Sequence, residues 1–338
     1  MKKDRLHLPD IVGGYTRLVE AKPEDAWTEA ADYAWKLCSQ PIVSSTAAAE
    51  VTRRDRELGS IDLVLGTSLW DLWHSFPGQV QPTSDVLAER WLRERQGCAV
   101  LILDGLSLRE VPWLIGGATK RGYKVRDARA TAAPLPSETT PFAAAMGFGQ
   151  RSALENNGLA RSSTTRLPGG RTECTNLPWT DAARLITADP RWVLWHHWPD
   201  NRVHDLSVAG QGISKLAEEV ASQLDSDAFW MLISRLCQGR RLLITSDHGY
   251  AASGLFGDVP EDHGRYLKDT FRSGRTAAVS GTEASAAFVP PVDLTIGDHR
   301  YVLGRRKWKS PGGYPTLCHG GLSILEVLVP FIEITRSE

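Results

Sequence analysis

The chain has 338 residues, of which 42% are hydrophobic and 23% charged, and a formal net charge of -1. That length allows one large α/β domain or two modest ones with a substantial core, and the composition is ordinary for a soluble globular protein, so disorder is not the expectation. The near-zero charge argues against a strongly basic coat for nucleic acid and leaves room for a local patch. The five cysteines, Cys38, Cys98, Cys174, Cys237 and Cys318, are scattered with no CxxC pair. This speaks against a disulfide framework or a cysteine zinc finger and fits a reducing cytoplasm. The N-terminal "MKKDRLHLPD" is charged with no apolar stretch after it, and no window approaches the length of a membrane span, so a soluble, unexported protein is expected.

In chain order, residues 1–97 read as a helical region carrying five of the twelve tryptophans, most simply as packing residues. "AKPEDAWTEAADYAWKLC" has Pro23 early and apolar residues at helical spacing, and "SDVLAERWLRERQG" offers Ser84 as an N-cap and Gly97 as a stop. From residue 98 to 338 strands and helices alternate, the pattern of a mostly parallel sheet. "CAVLILDG" is an apolar run suited to a strand covered on both faces. "LSLREVPWLIGGATKRG" reads as a helix, "YKVRDARAT" as a strand, and the polar, Gly/Pro-rich "RSSTTRLPGGRTECTNLP" as a loop. "RWVLWHHW" is the next strand, "LSVAGQGISKLAEEVASQL" and "DAFWMLISRLCQGR" are helices, and "RLLITSDHG" is a strand. "GLSILEVLVPFIEI" closes the series as a short helix leading into a strand.

In such sheets, ligands bind beyond the carboxyl ends of the strands. Asp104 ends "AVLILD"; Asp247 and His248 end "LLITSD"; Asp200 and His204 follow the "RWVLWHHW" strand; His319 precedes the last helix. Each alone has a plainer reading as a turn residue, a cap or a structural histidine. Together they would serve two divalent ions, zinc or manganese, with Asp200, His204 and His319 at one and Asp104, Asp247 and His248 at the other. Gly249 would let the backbone turn sharply after that last pair. Two metals about 3.5–4 Å apart can clamp the attacking and leaving oxygens of a phosphoryl transfer. A nucleophile is offered by "LPSETTPFAAAMGFG", where Ser137, Thr139 and Thr140 precede a helix-forming segment and either cap it or present a hydroxyl.

The ordered set Asp104, Thr139, Asp200 with His204, Asp247 with His248, and His319 resembles the ligand order of the alkaline phosphatase superfamily. "PSETTPF" is similar to the nucleophile turn of its nucleotide pyrophosphatase/phosphodiesterase branch, "PDNRVH" to its Asp-x-x-x-His pair, and "SDHG" to its Asp-His-Gly. "HGGLSILEVLVP" is more similar still to the PglZ family, found in bacterial phage-defence systems such as BREX and in some response regulators. The resemblance spans roughly residues 98–335 and implies an alkaline-phosphatase-like α/β core, a mostly parallel sheet flanked by helices. It implies Thr139 as nucleophile, two divalent metals, and a metal-dependent phosphodiesterase or nuclease-like hydrolase, with other defence proteins as partners. "DGLSLRE" departs from the family's pattern at the first ligand, so no role carries over to Arg109.

For substrate contact, "HRYVLGRRKWKS" places Arg305, Arg306 and Lys307 on an expected hairpin turning at Gly304, cationic and interleaved with aromatic residues, which suits a nucleotide or single strand. Its plainer reading is a solvated hairpin with a protected edge. Arg265, with His263 and Lys268, offers further phosphate contacts or simply lines an exposed helix. Two rival functions stand beside the diesterase: a phosphomonoesterase or phosphomutase on the same core, and a non-catalytic scaffold that keeps a structural metal.

Overall fold

The computed structural model describes residues 22–207, 212–252, 259–279, 288–309 and 315–336. The N-terminal charged stretch and the start of the helix read from "LSVAGQG" lie outside the described residues. Pro23–Cys38 is a helix with Pro23 in its first turn, where its missing N–H costs nothing, and Ala47–Thr67 is a second, longer helix. Thr83–Arg93 follows. Its N-cap is Pro82 rather than Ser84, and the Thr83 hydroxyl bonds the carbonyl of Ala132 at 2.9 Å, so this helix start is pinned to the sheet.

The strands are β1 (Cys98–Leu103), β2 (Tyr123–Ala132), β3 (Arg171–Thr175), β4 (Arg191–His196), β5 (Arg241–Thr245), β6 (Ala251–Ala252), β7 (Thr276–Ala278), β8 (Asp293–Ile296), β9 (His299–Val302), β10 (Leu317–Cys318) and β11 (Leu328–Arg336). Six of them form the central sheet in the order β2-β11-β5-β1-β4-β3. β1 pairs in parallel with β4 and β5, β3 in parallel with β4, and β11 runs antiparallel between β5 and β2. The fold is α/β, with a mostly parallel sheet flanked by helices.

β1 is buried along its whole length, and alternate residues serve the two faces of the sheet. Ala99, Leu101 and Leu103 join one core with Trp27, Leu58 and Phe229; Val100 and Ile102 join the other with Trp91, Phe142 and Trp195. The first of these cores also includes residues from the Pro23–Cys38 and Ala47–Thr67 helices, so the N-terminal helices and the sheet share one hydrophobic cluster.

Register decides where the chemistry lies. Cys98 stands opposite both Arg191 and Arg241, so β4, β1 and β5 start level and finish level. Their next residues emerge side by side. β6 and β10 then pair antiparallel, Ala251 against Cys318, which brings the chain after β5 beside His319.

The structure departs from the sequence expectation at three places: the loop at 171–175, the hairpin at Gly304 and the exposure of Arg305. Residues 171–175, read as loop, form β3, in which Thr172, Cys174 and Thr175 are buried; the preceding glycines and prolines hid a five-residue edge strand. The expected hairpin at Gly304 is replaced by one between β8 and β9, turning around Gly297. Arg305 lies inside the protein at 0% exposure, its Nε 2.6 Å from Asp62 and its Nη1 2.7 Å from Asp55. It cannot line a substrate surface. Arg306 is half-buried, bonds the carbonyls of Leu303 and Gly66, and is pushed down to about 10 by burial. Lys307 and Arg265 line one surface cleft of about 430 Å³ with Lys268, Trp308 and Lys309.

Arg305 ties the Ala47–Thr67 helix to the site edge, because Asp62 also accepts the backbone N–H of Ile324 at 2.7 Å. Removing one partner of a buried pair strands the other's charge, at about 3–5 kcal/mol. Arg305→Ala is therefore expected to lower the unfolding free energy by about that amount in chemical denaturation. A change within about 0.5 kcal/mol, typical of a surface substitution, would contradict the buried placement.

Candidate metal and phosphoryl-transfer site

The level strand ends deliver the predicted acids and histidines to one place. Asp104 follows β1 directly and its backbone N–H donates to the carbonyl of His196 on β4. The Asp104 carbonyl in turn accepts the N–H of Asp200 at 2.8 Å, which seats the second aspartate above the first. Gly105 permits this: its φ is +71°, and a Cβ there would stand 3.0 Å from the Asp200 Cβ. Gly249 has a different role from the one expected of it. No left-handed turn occurs there; a Cβ would collide with the carbonyl of Leu325, and the Gly249 N–H donates to the carbonyl of Glu326 at 3.0 Å. The residue allows the Asp247–His248 segment to lie against the backbone leading into β11.

Asp104, Asp247 and His248 are completely buried, Asp200 and His319 partly so, and His204 is exposed. Donor atoms of Asp200, His204 and His319 lie within 4.8 Å of one another, and so do those of Asp104, Asp200 and His248. The grouping differs in two respects from the expected one: Asp200 belongs to both clusters, and Asp247 belongs to neither. Asp247 stands slightly behind. Its Oδ1 accepts from the Gly105 N–H at 3.0 Å and from Ser246 at 3.3 Å, while its Oδ2 lies 3.5 Å from His248 Nε2. The His248 ring stacks on His319 at 4.1 Å between centroids, and its Nδ1 is 2.9 Å from the Gly249 carbonyl, leaving Nε2 to face the carboxylates.

The electrostatics favour a cation. Burial works against a charged His248, yet Asp247 and Asp104 outweigh it and push the ring up to about 10. Burial and the neighbouring charge of Asp104 push Asp247 up to about 7. Burial lowers His319 to about 3, helped by the charge of His248. Asp200 is held below the usual carboxylate range: burial opposes this, and the hydrogen bond from His204 with the surrounding imidazoles overcomes it. Among the described residues, Asp200 Oδ1, Asp247 Oδ2 and His248 Nε2 are buried without a hydrogen-bond partner, and His319 turns its Nε2 toward Asp200 and His204. Unpaired buried donors and acceptors of this kind are costly unless an ion takes them up. An all-oxygen-and-imidazole set fits zinc or manganese.

Of the three candidate hydroxyls, Thr139 is the one that faces the cluster. Its Oγ1 donates to Asp104 Oδ1 at 3.3 Å from the first position of the Thr139–Ala145 helix, whereas Ser137 is fully buried with an unpaired hydroxyl and Thr140 is exposed. Asp104 Oδ2 accepts from Trp195 Nε1 at 3.1 Å and is in contact with the Arg151 guanidinium. Sequence reasoning missed Arg151: it ends no strand and lies in no apolar pattern, and only its proximity to "PSETTPF" set it apart from other surface arginines. Arg265 and Lys307 are not part of this cluster; Arg265 is exposed and pairs with Glu261 at 3.1 Å. Arg109 packs away from the site, against Asp55 and the Tyr250 carbonyl.

No protein-family model matches the chain, and no curated protein matches it in sequence. Among solved structures it is similar in fold to murine ectonucleotide pyrophosphatase/phosphodiesterase 5, an inactive form in complex with AMP. That likeness has a TM-score of 0.47 at 14% identity and covers 72% of this chain and 88% of that one. It is similar also to phosphonoacetate hydrolase from Sinorhizobium meliloti in complex with phosphonoformate, with a TM-score of 0.44 at 14% identity, covering 72% of this chain and 90% of that one. These are likenesses of chain path alone. Among the described residues no helix is long and apolar enough to cross a membrane.

Because Asp200 serves both clusters, Asp200→Ala is expected to weaken zinc binding at both, while His204→Ala weakens it at one. A chelator-competition titration of the two variants separates these outcomes; equal losses would contradict a shared aspartate.

Proposed function

We propose that the protein is a metal-dependent phosphoric ester hydrolase of the alkaline phosphatase superfamily that uses Thr139 as its nucleophile. The observation that carries this reading is the Thr139 hydroxyl on Asp104, at the rim of two overlapping Asp/His clusters with unpaired buried donor atoms. Two divalent ions held by Asp104, Asp200, His204, Asp247, His248 and His319 would supply positive charge for the transferring phosphoryl group and a lowered pKa for the attacking hydroxyl.

The rest of the step belongs to the protein. Thr139 Oγ1, held in place by its hydrogen bond to Asp104 Oδ1, gives up its proton to solvent. The Oγ1–P bond forms as the ester P–O bond breaks, and the leaving oxygen takes the electron pair and a proton from solvent. Water then cleaves the phosphothreonine, releasing phosphate or a phosphoester and restoring the hydroxyl. Trp195 holds Asp104 Oδ2 in place, and β1, β4 and β5 keep the reacting groups in register. Such preorganisation is where a phosphoryl-transfer site gains most.

The similarity of "PSETTPF" and "PDNRVH" to the nucleotide phosphodiesterase branch supports a nucleotide or nucleic-acid phosphodiester as substrate, with Arg265 and Lys307 in the basic cleft as contacts for its flanking phosphates. The PglZ-like C-terminal segment supports a place among phage-defence proteins, and five free cysteines fit the cytoplasm. A second reading, hydrolysis of a phosphomonoester, is favoured by the Arg151 guanidinium on Asp104, the carboxylate that Thr139 also faces, since a monoester brings one more negative charge.

Thr139→Ala is expected to reduce cleavage of bis-p-nitrophenyl phosphate by on the order of 1,000-fold or more, with metal content unchanged and partial activity kept by Thr139→Ser. Unaltered turnover in Thr139→Ala would remove the nucleophile assignment, and bound metal without turnover in the wild type would favour the scaffold.

A further inference from the structure

We infer that Glu138 sets the charge preference of the site: it admits phosphoesters whose organic group is neutral or cationic and disfavours pyrophosphates, which bring further negative charge beside the nucleophile. The inference rests on the hydrolase reading and narrows its substrate class. Glu138 directly precedes Thr139 in the chain. Its carboxylate reaches the backbone just after His319, where a Cβ on Gly320 would stand 2.6 Å from Glu138 Oε1. The acid therefore spans from the nucleophile turn to the cluster of Asp200, His204 and His319.

The local structure makes no use of this side chain. Glu138 holds the N-cap position of the Thr139–Ala145 helix, where a side-chain oxygen ordinarily accepts a backbone N–H, and it makes no such bond. Only its backbone serves the turn, the N–H donating to the Pro136 carbonyl at 2.9 Å and the carbonyl accepting from Phe142 at 3.3 Å. Among the described residues its carboxylate has no hydrogen bond or ion pair, although the residue is half-buried. Gly320 makes room for it with a φ of +99°, a conformation that residues with a Cβ rarely adopt. The neighbouring charges are committed elsewhere: Glu326 pairs with Arg275 at 2.7 Å, and His299 on β9 with Asp298 at 2.7 Å. Burial raises the Glu138 carboxyl above its ordinary value, while the charges of His248 and His299 lower it. A half-buried carboxylate with neither a cap bond nor a counterion is unfavourable for folding, which points to a ligand as its partner.

A carboxylate at this place acts on the group attached to phosphorus. A sugar hydroxyl offers it a hydrogen-bond donor, and an ammonium offers it a positive charge. The second phosphoryl group of a pyrophosphate offers neither and adds negative charge. Like charges several ångströms apart in partly solvated surroundings shift an equilibrium on the order of 10-fold.

The test compares zinc-loaded wild type, Glu138→Gln and Glu138→Ala at pH 8 on three substrates that differ in the charge beside the scissile phosphorus: p-nitrophenyl phosphorylcholine, bis-p-nitrophenyl phosphate and the pyrophosphate ADP-ribose. Relative to the neutral diester, both variants are expected to raise kcat/KM for ADP-ribose on the order of 10-fold and to lower it for the choline ester. Calorimetric binding of phosphocholine and phosphoglycolate, which needs no turnover, should shift in the same direction, toward the anionic ligand. Ratios that stay as in wild type would overturn the assignment, as would equal losses on all three substrates, the mark of a purely structural role at the helix start. If wild type hydrolyses none of the three, the hydrolase reading fails by itself, and the ratio of the two calorimetric affinities still decides whether Glu138 selects by charge.

Discussion

The site depends on one buried carboxylate. Asp104 stands at the end of the most deeply buried strand, without solvent, and its two oxygens are shared among Thr139, Trp195, Arg151 and His248. A carboxylate in such a place has a large desolvation cost unless cations and donors surround it. That requirement draws a hydroxyl, an indole, a guanidinium and an imidazole from four separate stretches of chain to one point, and the reactive geometry follows from satisfying it.

Holding these groups together is a matter of backbone. Parallel strands that start in register end in register, so β1, β4 and β5 present their following residues as a row. The two glycines make close approach possible in different ways, Gly105 by a left-handed turn under Asp200 and Gly249 by leaving space for the Leu325 carbonyl. Farther out, Arg305 and Asp62 fasten the Ala47–Thr67 helix to the segment between His319 and β11, and Arg275 pairs with Glu326 in the same segment. These buried ion pairs give the rim of the site a rigid frame, and they explain why several arginines in basic-looking sequence serve the interior.

Much of this was legible in the sequence because strand ends carry position. Asp104, Asp200, Asp247, His248 and His319 each fall next to a recognisable strand or helix, and the sheet rule gathers such residues. The division of ligands was less legible, since Asp200 reaches both clusters only through its backbone bond to Asp104, a contact that no spacing encodes. β3 was obscured by the glycines and prolines around it. Arg305 misled because a run of arginine and lysine looks solvated, and its buried partners lie 250 and 243 positions earlier, at Asp55 and Asp62. Arg151 carried no pattern at all; its place is set by a turn docked on a strand that was itself unseen.

In the proposed reaction the Thr139 hydroxyl, held on Asp104, attacks phosphorus. The most direct measurement is rapid acid quenching of the zinc-loaded protein during turnover of an activated phosphoester, followed by mass spectrometry of the peptide containing residue 139. The expected result is a phosphoryl group on Thr139 that forms and decays at rates able to support turnover. Steady turnover with Thr139 unmodified, and inversion rather than retention of configuration at a chiral phosphorus, would contradict it, because both would mean that water attacks directly.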